Sequence, residues 1–155
     1  MQKFPETAQE YIGLAERAVD QFTKTQQIDD LFTAILATAH SFDFFHRETR
    51  GRPTEEGDKQ VFANENPDWK TIRQLCNGGT TAKMIGVGDD GSFPYSADES
   101  LRKRLVWVVP FDGSDHRVDF LCARFLARLT ASLSKFQEAN PDRDLAAQGA
   151  DRDGD

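Results

Sequence analysis

The stretch at residues 28–46, IDDLFTAILATAHSFDFFH, decides the fold. Ile28, Leu31, Phe32, Ile35, Ala39 and Phe42 recur at steps of three and four, which lays one apolar face along a helix. Ala34, Leu36, Ala37, Phe44 and Phe45 widen that face until little polar surface remains. A helix apolar nearly all round belongs at the centre of a bundle, with neighbours on several sides.

Upstream, Ala8, Ile12, Ala15, Val19 and Phe22 mark an amphipathic helix over residues 6–25. Pro5 suits its first turn, where an N–H would have no intrahelical partner, and the polar TKTQQ ends it. Downstream, HRETRGRPTEEGDK reads as a charged surface loop that enters a short helix at 55–64. Asn66-Pro67-Asp68 then starts another helix: a capping side chain, a proline at the first helical position and an acid near the positive end of the dipole. Trp69, Ile72, Leu75 and Cys76 form its buried face, and Gly78 stops it in the left-handed conformation.

Residues 83–100 are rich in glycine, aspartate and proline, which predicts turns and a short hairpin about Asp90-Gly91. Residues 105–109 are β-branched and aromatic; with the turn Asp112-Gly113 and His116-Arg117-Val118 they predict a small antiparallel ribbon, placed at an edge by Pro110. The last helix begins near Ser114 or Asp119 and buries Val118, Leu121, Cys122, Phe125, Leu126, Leu129, Leu133 and Phe136. The expected fold is therefore mainly α: an up-and-down bundle of about four principal helices over residues 1–140, with a β-ribbon before the last helix. Residues 141–155 carry five aspartates against two arginines and no apolar stripe, so a disordered acidic tail is expected there.

The 155 residues hold 26 acidic and 19 basic side chains, a net charge of -7. Such a chain is repelled at long range by nucleic acid and anionic membranes, which disfavours general nucleic-acid binding. No run approaches eighteen consecutive apolar residues, the N-terminus has no secretory pattern, and the two cysteines, Cys76 and Cys122, sit in helical apolar runs. A cytoplasmic protein with free thiols and no membrane partner is the expectation.

Three constellations carry candidate chemistry. Gly86-Val87-Gly88-Asp89-Asp90-Gly91 matches the dinucleotide fingerprint, but Ser92-Phe93-Pro94 is a poor helix start and two aspartates would repel a pyrophosphate, so a turn is the reading. His40, Asp43 and His46, spaced by three, offer a histidine-carboxylate-histidine set for a metal or for acid/base work, although the outer two diverge by about 120° around a helix. No other cluster supplies the remaining ligands, so no metal or other cofactor is expected. Arg117, Arg124, Arg128 and Lys135 follow helical spacing and form a basic stripe, either a solvated face or a patch that meets an acidic partner, an RNA backbone or the chain's own aspartate-rich tail.

The order LFTAILATAHSFDFFHRE, WKTIRQLCNGGTTAKM and LVWVVPFDGSDHRVDFLCARFLARL, spanning roughly residues 5–138, resembles small bacterial helical proteins of the HEPN-like kind. The resemblance implies an apolar helix ending in an aromatic and histidine cluster, a helix carrying an asparagine and a lysine-histidine signature, a strand pair and a final helix. Asn77 and Lys83 stand at the asparagine and lysine, Met84 replaces the histidine, and Gly78-Gly79-Thr80-Thr81 lengthens the spacing. Catalytic members of the wider group carry an arginine followed after four to six residues by a histidine. His40, His46 and His116 have no arginine at that distance, so the resemblance implies a noncatalytic member. The expected function is a noncatalytic protein-interaction or regulatory domain that meets a protein partner or a second copy of itself. The alternatives are an RNA-directed enzyme using His40, His46 and Arg47, or a metal-dependent one using His40, Asp43 and His46.

Overall fold

Thr7 starts the first helix: its side chain accepts from the Glu10 N–H at 3.1 Å, so α1 runs Ala8–Thr25 and Pro5 lies ahead of it instead of in its first turn. In the computed structural model, which describes residues 3–87 and 104–141, four more helices and three strands follow. These are α2 Ile28–Arg50, α3 Glu56–Glu65, α4 Pro67–Asn77, β1 Lys83–Val87, β2 Arg104–Phe111, β3 Ser114–Arg117 and α5 Val118–Ala139. The protein is mainly α, with a small antiparallel sheet placed before the last helix.

Helix α2 continues a turn beyond His46, because HRETR contains neither glycine nor proline and can stay helical. It ends only where Gly51 takes a positive φ and its N–H bonds the Arg47 carbonyl at 2.8 Å. Asn66 separates α3 from α4, but its side chain turns back to the Phe62 carbonyl at 3.0 Å and does not cap α4. The N-terminus of α4 relies on Pro67, and Asp68 turns into the protein.

The sheet has the order β1-β2-β3, and β1 is a strand at the start of the stretch whose glycine, aspartate and proline predict turns. Pairing with β2, from Lys83↔Val108 to Val87↔Arg104, gives its backbone groups partners that local sequence does not reveal. The hairpin about Asp90-Gly91 and the tail from residue 142 lie outside the described residues. Asp112 and Gly113 both have positive φ, the two-residue turn whose twist suits a β-hairpin. β2 is the central strand, not an edge, despite Pro110. Pro110 opposes Asp115 in the pair next to the hairpin's closing pair, Phe111↔Ser114, so its missing N–H faces the β1 side, where β1 pairing stops at Val108.

Helix α5 packs on α1, α2 and α4, and α1 pairs with α2 along most of its length. Between them Phe42 stacks on Phe62 at 3.9 Å, Trp69 meets both edge-on, and Phe125 closes the cluster against Phe62. The Trp69 indole N–H donates to the Ala39 carbonyl at 3.0 Å. Val87, Val106 and Val108 form a second, smaller cluster on the sheet. No helix among the described residues is long and apolar enough to cross a membrane.

The sheet is joined to the helices through Gln26, which sits between α1 and α2 with φ +50. Its amide oxygen accepts from the Trp107 backbone N–H at 3.0 Å, its amide nitrogen donates to buried Asp119 at 3.3 Å, and its carbonyl accepts from the Trp107 indole at 3.0 Å. Replacing Gln26 by alanine keeps the strained φ and the backbone carbonyl that accepts from the indole, but leaves the Trp107 backbone N–H and Asp119 short of a partner. Gln26→Ala should therefore cost about 1–3 kcal/mol in denaturant unfolding, while Lys135→Ala, exposed and without a described ion pair, should stay within about 0.5 kcal/mol.

Candidate functional site

Helix α2 carries the candidate residues on two different sides. Along its outer side, Ile28, Phe32 and Leu36 follow the four-residue step and are 46%, 51% and 44% exposed, so the face read as uniformly core is open along this line. His40 is the next member of the line; its Nδ1 lies 3.3 Å from the Asp43 carboxylate in an exposed i,i+3 pair. His40 and Asp43 line a crevice of about 150 Å³ with Asn77 and Cys76.

His46 points elsewhere. Its side chain is buried, with Nε2 3.5 Å from Asp58 Oδ1 on α3 and with no partner for Nδ1. Asp58 is the hub of this side: it accepts from Arg52 Nη1 and Nη2 at 2.8 and 2.9 Å and from the Glu55 backbone N–H at 3.0 Å. The hydrogen bond from Arg52, followed by that from the Glu55 N–H, holds the Asp58 carboxyl well below the usual carboxylate range. Around this group lies a cleft of about 620 Å³, with Phe45, Phe62 and Phe136 among its apolar walls and Arg50, Arg52 and Glu65 among its polar ones. His40, Asp43 and His46 thus do not converge, and among the described residues no three histidine, cysteine or acidic side chains are grouped to hold a metal ion.

The basic stripe is largely engaged inside the molecule. Arg124 gives two hydrogen bonds to Asp68, at 2.8 and 2.9 Å, and Arg128 reaches the same carboxylate at 3.1 Å. Asp68 is 2% exposed, so the pair of guanidinium groups supplies the charge that such a buried carboxylate needs. Arg117 pairs with buried Asp119 at 2.7 Å and lies over the Phe120 ring at 4.1 Å. Lys135 is exposed, and Arg47 lines a shallow hollow with Asp43, Phe44, Pro53 and Thr54. Helical spacing found the arginines; their acids, fifty-six residues upstream or two residues on, carried no signal of burial in the sequence.

Of the positions implied by the HEPN-like resemblance, Asn77 ends α4, Lys83 pairs with Asp115 at 3.2 Å on the sheet, and Met84 is exposed on β1. Lys83 lines neither the His40 crevice nor the His46 cleft. Gly86, within the glycine motif, is a β1 residue opposite Leu105, and residues 88–91 lie outside the described residues. Burial pushes the Cys76 thiol up to about 11 and Cys122 up to about 12, which leaves neither as a thiolate nucleophile near neutral pH. Comparison of the chain with protein-family models, curated proteins and solved structures finds no match.

Because the Asp58 carboxyl is lowered in the folded protein, its pairing stabilises the fold above the unfolded carboxylate value of about 4 and is lost as pH falls below it. In unfolding curves taken between about pH 5 and pH 3, the wild type should lose more stability than Asp58→Asn. Equal slopes would show that the Arg52–Asp58 pair does not form in solution.

Proposed function

We propose that the protein is a noncatalytic interaction domain that associates with a second copy of itself through the outer face of α2. The observation that carries this reading is the exposed line Ile28, Phe32 and Leu36 on a helix whose other sides are core. Large apolar side chains grouped in this way favour a protein contact over open water. The occupant follows from the symmetry of the line. Two copies crossing antiparallel about the midpoint of Phe32 and Leu36 set Phe32 of one against Leu36 of the other, an isologous contact. The same register sets Ile28 of each copy against His40 of the other, so the line is used along its whole length. The line from Ile28 to Leu36 rises about 12 Å along the helix, and three side chains over that length cover far less than the roughly 800 Å² per partner of a stable interface. Association is accordingly weak and dependent on concentration.

The enzymatic alternatives have less support. His40 and His46 face separate crevices, both thiols are held protonated, and Lys83 is committed to Asp115. A basic surface for an acidic partner is reduced to Lys135 and to the outer edges of Arg124 and Arg128.

Sedimentation of the full chain over a concentration series should show mass rising from monomer toward dimer. Phe32→Glu and Leu36→Glu should each hold the monomer without changing the helical circular dichroism. A monomer throughout the series, or a dimer indifferent to both substitutions, would overturn the reading.

A further inference from the structure

We propose that the cleft between α2, α3 and the end of α5 binds a small carboxylic acid with an apolar body, its carboxylate held by Arg52 and Arg50. This is independent of self-association, which uses the N-terminal half of α2, whereas the cleft is at its C-terminal end.

The argument starts from how Arg52 is held. A guanidinium group has five N–H donors. Asp58 takes one from Nη1 and one from Nη2, and the Pro53 carbonyl lies 3.4 Å from Nη1. The Nε–H and the second Nη2 N–H remain, a parallel pair on one edge of the plane, with the spacing that matches the two oxygens of a carboxylate. Asp58 fixes that plane from the adjacent Nη1/Nη2 edge and is itself fixed by the Glu55 N–H, so the free fork is oriented before any ligand arrives. Arg52 remains about half exposed, open to such a ligand.

Charge along the cleft is uneven. At the loop end, Arg50 and Arg52 outnumber Asp58, and Arg50 has no ion-pair partner among the described residues. The other acid, Glu65, is seven residues beyond Asp58 on α3, about 10 Å along the axis. Between these ends the walls are Phe45, Val61, Phe62 and Phe136, and Val61 is 58% exposed. A ligand charged at one end and apolar along its body matches this order, and 620 Å³ is within the usual range for small-molecule sites. Buried His46 lines the same wall, and its Nδ1 lacks a protein partner, which leaves one polar atom there for a ligand or water to meet.

The full-length protein should be titrated with octanoate, octanol and octylamine, read by calorimetry and by ring-proton shifts of the cleft phenylalanines. Octanoate is expected to bind at least about tenfold more tightly than either probe lacking a carboxylate. Arg50→Gln, which breaks no described contact, should weaken octanoate several-fold and leave octanol unchanged. Arg52→Gln should do the same more strongly, with Arg52→Lys restoring little because it lacks the fork. Equal binding of all three probes would mean an apolar cleft without carboxylate recognition. Absence of shifts at the phenylalanines with every probe would mean no site at all. Either result overturns the proposal.

Discussion

Gln26 stands where α1 has ended and α2 has not begun, and its one amide holds three elements together. It ties the central strand β2 through the Trp107 N–H, the first turn of α5 through Asp119, and the end of α1 through the Phe22 carbonyl. Each group it meets is partly or wholly buried, where an unpaired donor or acceptor costs more than a made bond gains. The positive φ at this non-glycine residue belongs to the same arrangement, because it turns the side chain back across the junction. With the sheet docked there, Arg117 is delivered to Asp119 and Val118 to the core, so the start of α5 follows from the same contact.

A second polar centre does comparable work at the far side of α5. Asp68 leaves the first turn of α4, enters the protein and receives Arg124 and Arg128. The pair locks α4 against α5 while the aromatic group of Phe42, Phe62, Trp69 and Phe125 fills the space between α2, α3 and α5. Removing one partner of such a buried group is more damaging than never having built it. These arginines are thus first of all structural, and the open surface of the molecule lies along α2, not along the basic line of α5.

The two halves of α2 divide its chemistry. Toward the N-terminal end Ile28, Phe32 and Leu36 face water, and toward the C-terminal end Phe42 and His46 meet α3. A wheel drawn from sequence puts all of these in one broad apolar surface, because nothing local distinguishes a residue that meets α5 from one that meets nothing. The same limit applies to His40 and His46: spacing placed them 120° apart, but only packing shows that one pairs with Asp43 and the other with Asp58. Arg52 and Asp58 lie six residues apart in a charged stretch that reads as surface, because sequence shows neither that the two bond each other nor that His46 and Arg50 of α2 join them at one cleft.

Sequence by itself determined the helices and where most of them stop, because periodicity, glycine and proline act within a few residues. Ala8 to Phe22, Trp69 and Ile72, and Val118 to Leu133 all bury as their spacing requires. The Asp112-Gly113 turn and the left-handed cap at Gly78 follow from local backbone sterics in the same way. Tertiary structure decided what depends on a distant partner. It made β1 a strand by supplying β2, allowed Pro110 in a central strand by ending the β1 pairing at Val108, short of the proline, and gave Asp68 two arginines from another helix. It also left Ile28, Phe32 and Leu36 uncovered while closing the rest of α2, since burial is a property of neighbours and a helix's own residues do not record which side receives them.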